Sequence, residues 1–228
     1  SPGTQPLKIA IVGKPNAGKS TLINALLGEK RMITSPIAGT TVDAVDTAAV
    51  IDGQSVILID TAGIRRKSKT EQGVEVLSIV QTKKALERCD VAILVLDAQD
   101  GVVDQDEKIG GLIEEVGCGV ILLLNKWDTQ MRNRDFSKEA AVERIHSQMG
   151  YLRYAPIVFA SALRGKGLKH LGELAADIVE GRRKKLSTKE LSDWAKKAVA
   201  IHNPNNVKFY YAHQSGKFPP TFVFHVSD

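Results

Sequence analysis

A glycine-rich stretch near the amino terminus, residues 13–20, constrains the fold more than any other part of the chain. It has the spacing Gly-x-x-x-x-Gly-Lys-Ser and stands between an apolar run, Leu7–Val12, and a helix-like segment, Thr21–Leu27. A strand, a glycine-rich loop and a helix in this order are the context that gives the pattern a phosphate-binding mechanism. If the lysine occurred by chance in a glycine-rich turn, there would be no reason for a strand to precede the turn and a helix to follow it. The sequence therefore predicts a P-loop at the start of an α/β sheet.

The residue types of this loop indicate how it would bind phosphate. Gly13 and Gly18 let the backbone curl, so that successive N–H groups and the positive end of the helix dipole converge on phosphate oxygens. Lys19 is expected to reach the outer phosphates, and Ser20 to ligate Mg²⁺. The predicted contacts of the loop are Gly13, Lys14, Pro15, Asn16, Ala17, Gly18, Lys19, Ser20 and Thr21.

Composition and charge narrow the class of protein. The chain has 228 residues, of which 43% are hydrophobic and 25% charged, as expected of a globular α/β domain plus a smaller unit. No apolar run approaches the ~20 residues that a membrane span needs. Cys89 and Cys118 have no metal-ligand spacing, which indicates reduced packing residues in a cytosol-like compartment. Residues 1–180 carry 22 basic and 23 acidic side chains, whereas residues 181–228 carry 9 and 3, so the basic end suggests an acidic partner or a solvated charged face.

Apolar runs and helical patterns alternate along the first 180 residues. Two extended runs joined by Asp52-Gly53 form a hairpin signal, which places one antiparallel strand at the edge of the sheet. The alternation predicts a doubly wound, mostly parallel sheet of six strands. The predicted strands are 7–12, 44–51, 55–59, 91–96, 120–124 and 156–159, and the predicted helices are 21–27, 74–88, 104–116, 137–149 and 168–179.

The composition changes near Gly181, where four basic residues follow. Residues 1–6 are interpreted as a linker, 7–181 as the phosphate-binding domain and 182–228 as a small α+β unit. Ser187 and Glu190 fit a capping box that opens a helix to about Ile201, and 207–212 and 221–226 are predicted strands. One helix and two strands make a poor independent core, so this unit must dock or the chain stops before its fold is complete.

Further motifs follow later strands of the predicted sheet. Asp60-Thr61-Ala62-Gly63 comes directly after a strand, where open α/β sheets gather their ligands. Asp60 is expected to hold the magnesium shell, and the N–H of Gly63 to donate to a γ-phosphate. Thr41, in a polar loop, is a candidate second hydroxyl ligand to the ion, with Thr40 as the competitor. Lys19, Thr41 and Gly63 are the predicted catalytic residues.

Asn125-Lys126-Trp127-Asp128 is predicted to bind the base. The Asp128 carboxylate can accept two hydrogen bonds from guanine, whereas adenine offers no such pair of donors, a difference of ~1–3 kcal/mol or more. Lys126 would cover the ring, and the backbone N–H of Ala162 could donate to guanine O6. The predicted nucleotide contacts outside the P-loop are Asp60, Thr61, Ala62, Gly63, Asn125, Lys126, Asp128, Ser161 and Ala162.

These motifs together carry a resemblance to a known family. Gly-Lys-Pro-Asn-Ala-Gly-Lys-Ser, the segment 37–43 (Ile-Ala-Gly-Thr-Thr-Val-Asp), the segment 60–67 (Asp-Thr-Ala-Gly-Ile-Arg-Arg-Lys) and Asn-Lys-Trp-Asp resemble the second G domain of the bacterial ribosome-assembly GTPases Der, also called EngA. Tyr210–Ala212 and Pro219–Val223 are similar to the start of that family's KH-like domain.

The resemblance implies a P-loop GTPase that binds GTP or GDP with Mg²⁺ and acts as a switch in large ribosomal subunit biogenesis. It also implies contact with rRNA through the basic C-terminal unit and the switch loops, a monomer, and the cytosol of a bacterium or an organelle of bacterial origin. The family has a tandem G domain before this one and a longer KH-like domain, so we expect this chain to be a piece of a longer protein.

One position departs from many small GTPases. Where these place a glutamine that orients the attacking water, this chain has Ile64, which can neither donate nor accept a hydrogen bond. In relatives with asparagine at the position of Asn16, K⁺ supplies positive charge and is held by that asparagine and by loop carbonyls, here those around 35–40. A potassium site at Asn16 is therefore expected, although Asn16 could also only shape the loop.

Two alternatives stay open at this point. The chain could be a nucleotide-dependent RNA- or ribosome-binding module with negligible hydrolysis, which Ile64 would permit. It could instead be a tRNA-modification or Era-type GTPase, although the Arg65–Lys67 run and the segment from Tyr210 to Val223 argue against this.

Overall fold

The computed structural model describes residues 5–28, 42–69, 79–130, 137–202, 208–216 and 219–227. The chain divides into two compact units, residues 1–179 and 180–228. The strands are β1 Leu7–Val12, β2 Thr47–Ile51, β3 Gln54–Ile59, β4 Val91–Asp97, β5 Gly119–Asn125, β6 Ile157–Phe159, β7 Phe209–Ser215 and β8 Thr221–Val226. The helices are α1 Lys19–Leu27, α2 Thr61–Lys69, α3 Ile79–Arg88, α4 Asp104–Val116, α5 Lys138–Gln148, α6 Leu171–Arg183 and α7 Thr188–Ile201.

The first unit contains the predicted sheet of six strands, in the order β2-β3-β1-β4-β5-β6. All neighbouring strands are parallel except β2 and β3, which pair antiparallel. Asp52 and Gly53 connect this pair with φ of 50° and 78°, the left-handed conformation that a two-residue hairpin turn requires. The doubly wound fold with an antiparallel edge strand is confirmed.

Two apolar layers cover the faces of this sheet. Every residue of β4 is buried, as expected for a central parallel strand with helices on both sides. Alternate residues of each strand enter opposite layers: Ile93 and Val95 lie in the layer that includes residues of α1 and α6, and Leu94 and Leu96 in the layer that includes residues of α3, α4 and α5. The core thus fixes the sheet from both faces and leaves the carboxyl ends of the strands to form a site.

Helix α6 lies very close to the edge hairpin. The N–H of Gly172 donates to a carboxylate oxygen of Asp52 at 2.9 Å. A Cβ built on Gly172 would lie 2.2 Å from the carbonyl oxygen of Ile51. Only a residue without a side chain permits this approach.

Two segments differ from the sequence expectation. Residues 61–69, which are absent from the predicted helices and strands, form helix α2, and Ile64 packs against the first apolar layer while Arg65 is exposed. The predicted end of a helix at Val179 was wrong, because α6 continues through Gly181 to Arg183. Basic residues are good helix formers and interact favourably with the carboxyl end of the helix dipole, so the change in composition does not end the helix.

The second unit contains the end of α6, helix α7 and the antiparallel pair β7–β8. The predicted capping box opens α7: the Glu190 N–H donates to Ser187 Oγ at 3.2 Å, and the Ser187 N–H donates to the Glu190 carboxylate at 2.9 Å. Helix α7 is joined to β7 through Ser192, whose hydroxyl accepts from the Ala212 N–H at 3.0 Å. None of the described helices is both long and apolar enough to span a membrane.

Candidate nucleotide-binding site

The P-loop connects β1 to α1 in a conformation that few side chains permit. Gly18 has φ of 104°, and a Cβ there would lie 2.1 Å from Nδ2 of Asn125. Asn16 is also left-handed, with φ of 61°, a conformation that asparagine tolerates better than most residues. The loop therefore curls ahead of the amino terminus of α1, where backbone N–H groups lack intrahelical acceptors and favour an anion.

Lys19 lies in the first turn of α1 and folds back over the loop. Its ammonium donates to the carbonyl oxygens of Gly13 at 3.0 Å and of Lys14 at 2.7 Å. These contacts hold the positive charge of Lys19 inside the curled P-loop, where the sequence pattern predicts that phosphate binds. The predicted contact residues Pro15, Ala17 and Thr21 belong to the same turn or to the start of the helix, and Ala17 is fully buried.

Asn125 joins the P-loop to the segment after β6. This side chain is 2% exposed; its Nδ2 donates to the carbonyl of Ala17 and its Oδ1 accepts from the N–H of Ala162, both at 2.9 Å. Three segments that are far apart in sequence thus meet through one amide. Ser161 precedes the bonded N–H and is buried, so the predicted base-binding and phosphate-binding residues do lie together.

Two lysine side chains connect the P-loop with the carboxyl end of β4 and the loop after it. Lys126, with φ of 59°, places its ammonium 2.9 Å from the carbonyl of Asn16 and 2.5 Å from a carboxylate oxygen of Asp97. The ammonium of Lys14 lies 2.5 Å from Asp100 and holds the pKa of that carboxyl below its ordinary value. Sequence reasoning assigned no role to Asp97 or Asp100. The available signal was Asp97 at the end of a buried strand, the position where α/β sheets collect functional groups.

Asp128, predicted to recognise guanine, follows β5 in a short 3-10 turn. Its carboxylate accepts from Nε of Arg164 at 2.8 Å, a partner that the sequence did not suggest. The pKa of the Asp128 carboxyl is lowered, mainly by the nearby Ser161 hydroxyl and further by the positive charge of the Arg164 guanidinium. The Ser161 hydroxyl is buried, and its geometry does not form a standard hydrogen bond with any described group. Asp128 is therefore ionised at neutral pH and can act only as an acceptor.

The predicted magnesium and γ-phosphate segment, residues 60–63, lies at the start of α2, next to α1. Asp60 has φ of 51°, and its N–H donates to the carboxylate of Asp46 at 2.8 Å. Gly63 lies in the first turn of α2, and a Cβ there would be 2.9 Å from Oδ1 of Asp60. Thr61 is fixed to the edge hairpin by Thr47, with the two hydroxyl oxygens 2.6 Å apart.

These surroundings fit the donor set of a small hard cation. Ser20 Oγ lies 3.5 Å from the carbonyl oxygen of Ile64, so the hydroxyl of α1 faces the segment that begins with Asp60. Oxygen ligands with few carboxylates are typical of Mg²⁺ bound together with phosphates. No cluster of three His, Cys, Asp or Glu residues suited to a metal occurs in the part of the chain that the structure describes. Thr41, Thr40 and the loop carbonyls around 35–40 lie outside the described residues.

Comparison with known proteins gives the same interpretation. The profile of the family described as "50S ribosome-binding GTPase" matches residues 8–126, and the profile described as "KH-domain-like of EngA bacterial GTPase enzymes, C-terminal" matches residues 185–228. The chain belongs to the Der (EngA) family. The resemblance inferred from the motifs is confirmed.

Curated Der proteins align along nearly the whole chain. GTPase Der of Thermomicrobium roseum is 45% identical over 223 residues, which are 95% of this chain and 48% of that protein. GTPase Der of Chloroflexus aggregans is 43% identical over 97% of this chain and 51% of its own length. The chain thus spans about half the length of these Der relatives.

Solved structures agree with the fold. Era in complex with MgGDPNP and nucleotides 1506–1542 of 16S ribosomal RNA is 25% identical, with a TM-score of 0.52, over 98% of this chain and 78% of that one. The translation elongation factor SelB of Methanococcus maripaludis, in complex with the GTP analogue GppNHp, is 18% identical with a TM-score of 0.52, over 80% of this chain and 35% of that one. The second likeness concerns the fold alone.

Proposed function

We propose that this chain is a GTP-hydrolysing molecular switch that acts in biogenesis of the large ribosomal subunit in the bacterial cytosol. The single observation that carries the proposal is the Asn125 bridge between Ala17 of the P-loop and Ala162. This bridge brings a phosphate-binding loop and a guanine-type acceptor, Asp128, to one edge of the sheet. Membership of the Der family supports GTP as the nucleotide.

Each residue of the site has a separate task in this proposal. Lys19 supplies a cation to the outer phosphates, and Asp128 accepts hydrogen bonds from guanine. A bound Mg²⁺, held by Ser20 and by Asp60 through water, would neutralise charge on the phosphates. The N–H of Gly63 is suited to donate to a γ-phosphate, because α2 leaves its first N–H groups without intrahelical acceptors. Loss of that hydrogen bond after hydrolysis would release α2, which makes the segment a switch.

Orientation of the attacking water needs a different solution from the glutamine of many small GTPases. Ile64 packs against the apolar layer, so its side chain contributes no hydrogen bond. We propose that K⁺ held at Asn16 supplies positive charge instead, with Thr41 as a hydroxyl ligand to Mg²⁺. Hydrolysis should then be faster in potassium than in sodium buffer; equal rates would remove the potassium site and leave the rest of the proposal standing.

The test of the enzymatic proposal is multiple-turnover phosphate release from GTP. Lys19→Ala should lower the rate by ~100-fold or more, as expected on removal of a preorganised charge at the reacting group. Lys8→Ala is the matched control, because Lys8 is exposed near the amino end of β1, away from the P-loop that follows the carboxyl end of this strand, and it should retain the parent rate. Calorimetry with GDP and ADP tests the base: Asp128→Ala should weaken GDP by ~10-fold or more. No uptake of GDP by the parent chain would refute the proposal.

A binding module without hydrolysis is the alternative that these assays separate. GTP uptake by the parent chain with no phosphate release would favour it. Cosedimentation with the large ribosomal subunit, in the presence of a GTP analogue, GDP or no nucleotide, tests the switch itself. Equal binding in all three conditions would show that the nucleotide does not control the partner.

A further inference from the structure

The residues that lead into β2 are hydrogen-bonded to the start of α2. The N–H of Asp60 donates to Oδ1 of Asp46 at 2.8 Å. The N–H of Ala62 donates to the carbonyl oxygen of Val45 at 3.1 Å, and the hydroxyl of Thr61 lies 3.3 Å from the same oxygen. Two consecutive residues before β2 thus hold three consecutive residues of the predicted magnesium and γ-phosphate segment.

Asp46 is held in turn by α3. Its side chain is 3% exposed; Oδ1 accepts from Asp60, and Oδ2 accepts from Nη2 of Arg88, the last residue of α3. The same Nη2 donates to the exposed carboxylate of Asp43 at 2.6 Å, and the N–H of Asp46 donates to the carbonyl of Asp43 at 2.9 Å. A buried carboxylate is tolerated when its oxygens are paired and its charge is compensated. The orientation of Asp46 is therefore fixed by burial, by a turn and by a cation from another element.

Asp60 needs such support because its backbone is left-handed. Its φ is 51°, a region that residues other than glycine enter at an energetic cost, although aspartate enters it more easily than most. Such a conformation persists where the surrounding structure determines it. Here it places the Asp60 carboxylate against the first turn of α2, since a Cβ built on Gly63 would lie 2.9 and 3.1 Å from the two carboxylate oxygens. The hydrogen bond to Asp46 thus helps to determine where the predicted magnesium carboxylate lies.

We propose that Asp46 is a positioning residue for Mg²⁺: it accepts from the Asp60 N–H and so keeps the Asp60 carboxylate in place for the water shell of the ion, while Arg88 keeps Asp46 in place. Outer-shell hydrogen bonds of this kind orient the groups that hold a metal and contribute strongly to its affinity. The inference rests on the proposed function for the bound species, Mg²⁺ with GDP or GTP. The hydrogen bonds that carry it belong to the chain alone.

Dissociation of a fluorescent GDP analogue from the full chain, measured over a range of Mg²⁺ concentrations, tests this role. Asp46→Ala should raise the Mg²⁺ concentration that gives half-maximal slowing of dissociation by ~10-fold or more, while dissociation in EDTA stays within ~2-fold of the parent. Asp46→Asn keeps an oxygen that can accept from the Asp60 N–H and should stay within ~3-fold of the parent Mg²⁺ requirement.

Asp90→Ala is the matched control. The Asp90 carboxylate also accepts a backbone N–H, that of Lys8 at 2.9 Å, but it lies next to the amino end of β4, at the opposite edge of the sheet from the site. Its removal deletes the same kind of hydrogen bond from the same unit. The Mg²⁺ requirement of this variant should equal that of the parent.

Hydrogen exchange of the Asp60 amide is a second measurement, which needs neither nucleotide nor metal. In the parent chain and in Asp46→Asn this amide should exchange at least ~10-fold more slowly than an amide without a hydrogen bond, and in Asp46→Ala it should lose this protection. Unprotected exchange in the parent would overturn the inference even if Asp46→Ala does not fold.

The outcomes separate this inference from the proposed function. A parent-like Mg²⁺ requirement in Asp46→Ala would overturn it, and so would an equal rise in Asp90→Ala, an equal rise in Asp46→Asn, or an equal acceleration of dissociation in EDTA. A raised Mg²⁺ requirement in Asp46→Ala alone supports it. If the parent binds no GDP, the proposed function fails, and exchange of the Asp60 amide still decides whether Asp46 holds this residue.

Discussion

Replacement of Asn125 by alanine should destabilise the first unit, because this amide closes two buried hydrogen bonds. The carbonyl of Ala17 and the N–H of Ala162 are its partners, at 2.9 Å each. Both partner residues are almost completely buried, at 0% and 3% exposure. The substitution would remove the side-chain partner of both groups.

The magnitude follows from the two partners that the substitution leaves unpaired. A buried donor or acceptor that loses its partner costs ~1–3 kcal/mol, so two of them give an upper range of ~2–6 kcal/mol. Water that enters the space left by the amide would satisfy part of this loss. We expect the free energy of unfolding to fall by ~2–4 kcal/mol, which moves the urea midpoint down by roughly 1–2 M.

Urea unfolding followed by tryptophan fluorescence measures this change. A Trp194→Phe background leaves Trp127, beside Asn125, as the reporter of the first unit. Asn24→Ala is the control, since Asn24 is exposed on α1 and its replacement should stay within ~0.5 kcal/mol. A loss below ~1 kcal/mol for Asn125→Ala would mean that the bridge does not carry the stability argued from its burial.

Two further changes test the packing and the electrostatics. Gly172→Ala should lower the free energy of unfolding by ~2 kcal/mol or more because its Cβ would overlap a backbone carbonyl of β2. The control is Gly111→Ala, which has open space around it and should raise the free energy of unfolding by up to ~1 kcal/mol. Similar urea midpoints for the two variants would contradict the close approach of α6 to β2. Burial raises the pKa of Asp106 from 3.8 to about 6, so the native state binds more protons than the unfolded state between these values, and stability should fall as pH rises through that window. Asp106→Asn should remove this fall and Asp104→Asn, at an exposed position of the same helix, should keep it; urea midpoints from pH 4 to pH 7 measure both.

Several parts of the fold could be predicted because their cause is local. The apolar runs of β1 and β4, the Asp52-Gly53 turn and the Ser187 capping box each depend on neighbouring residues. The predicted end of α6 was wrong because a change in composition does not by itself end a helix: arginine is a good helix former, and α6 continues to Arg183.

The site was predictable as a set of motifs and not as a set of contacts. The P-loop and Asn-Lys-x-Asp are contiguous patterns, so their residue types indicate their chemistry. Their partners are not contiguous: Lys14 meets Asp100 across 86 positions, and Arg164 meets Asp128 across a strand and a helix. No spacing rule in the sequence selects these pairs.

The sequence by itself determined the strands, the turns and the kinds of ligand that the loops can bind, since these depend on the chemistry of adjacent residues. Only the tertiary structure decided which loops meet. Placing β1 between β3 and β4 brings the P-loop beside Asp97, and placing β5 next to β4 lets Asn125 reach Ala17 over 108 positions. The physical reason is that strand order results from burial of the whole sheet between two apolar layers, to which every strand contributes and which no single segment encodes.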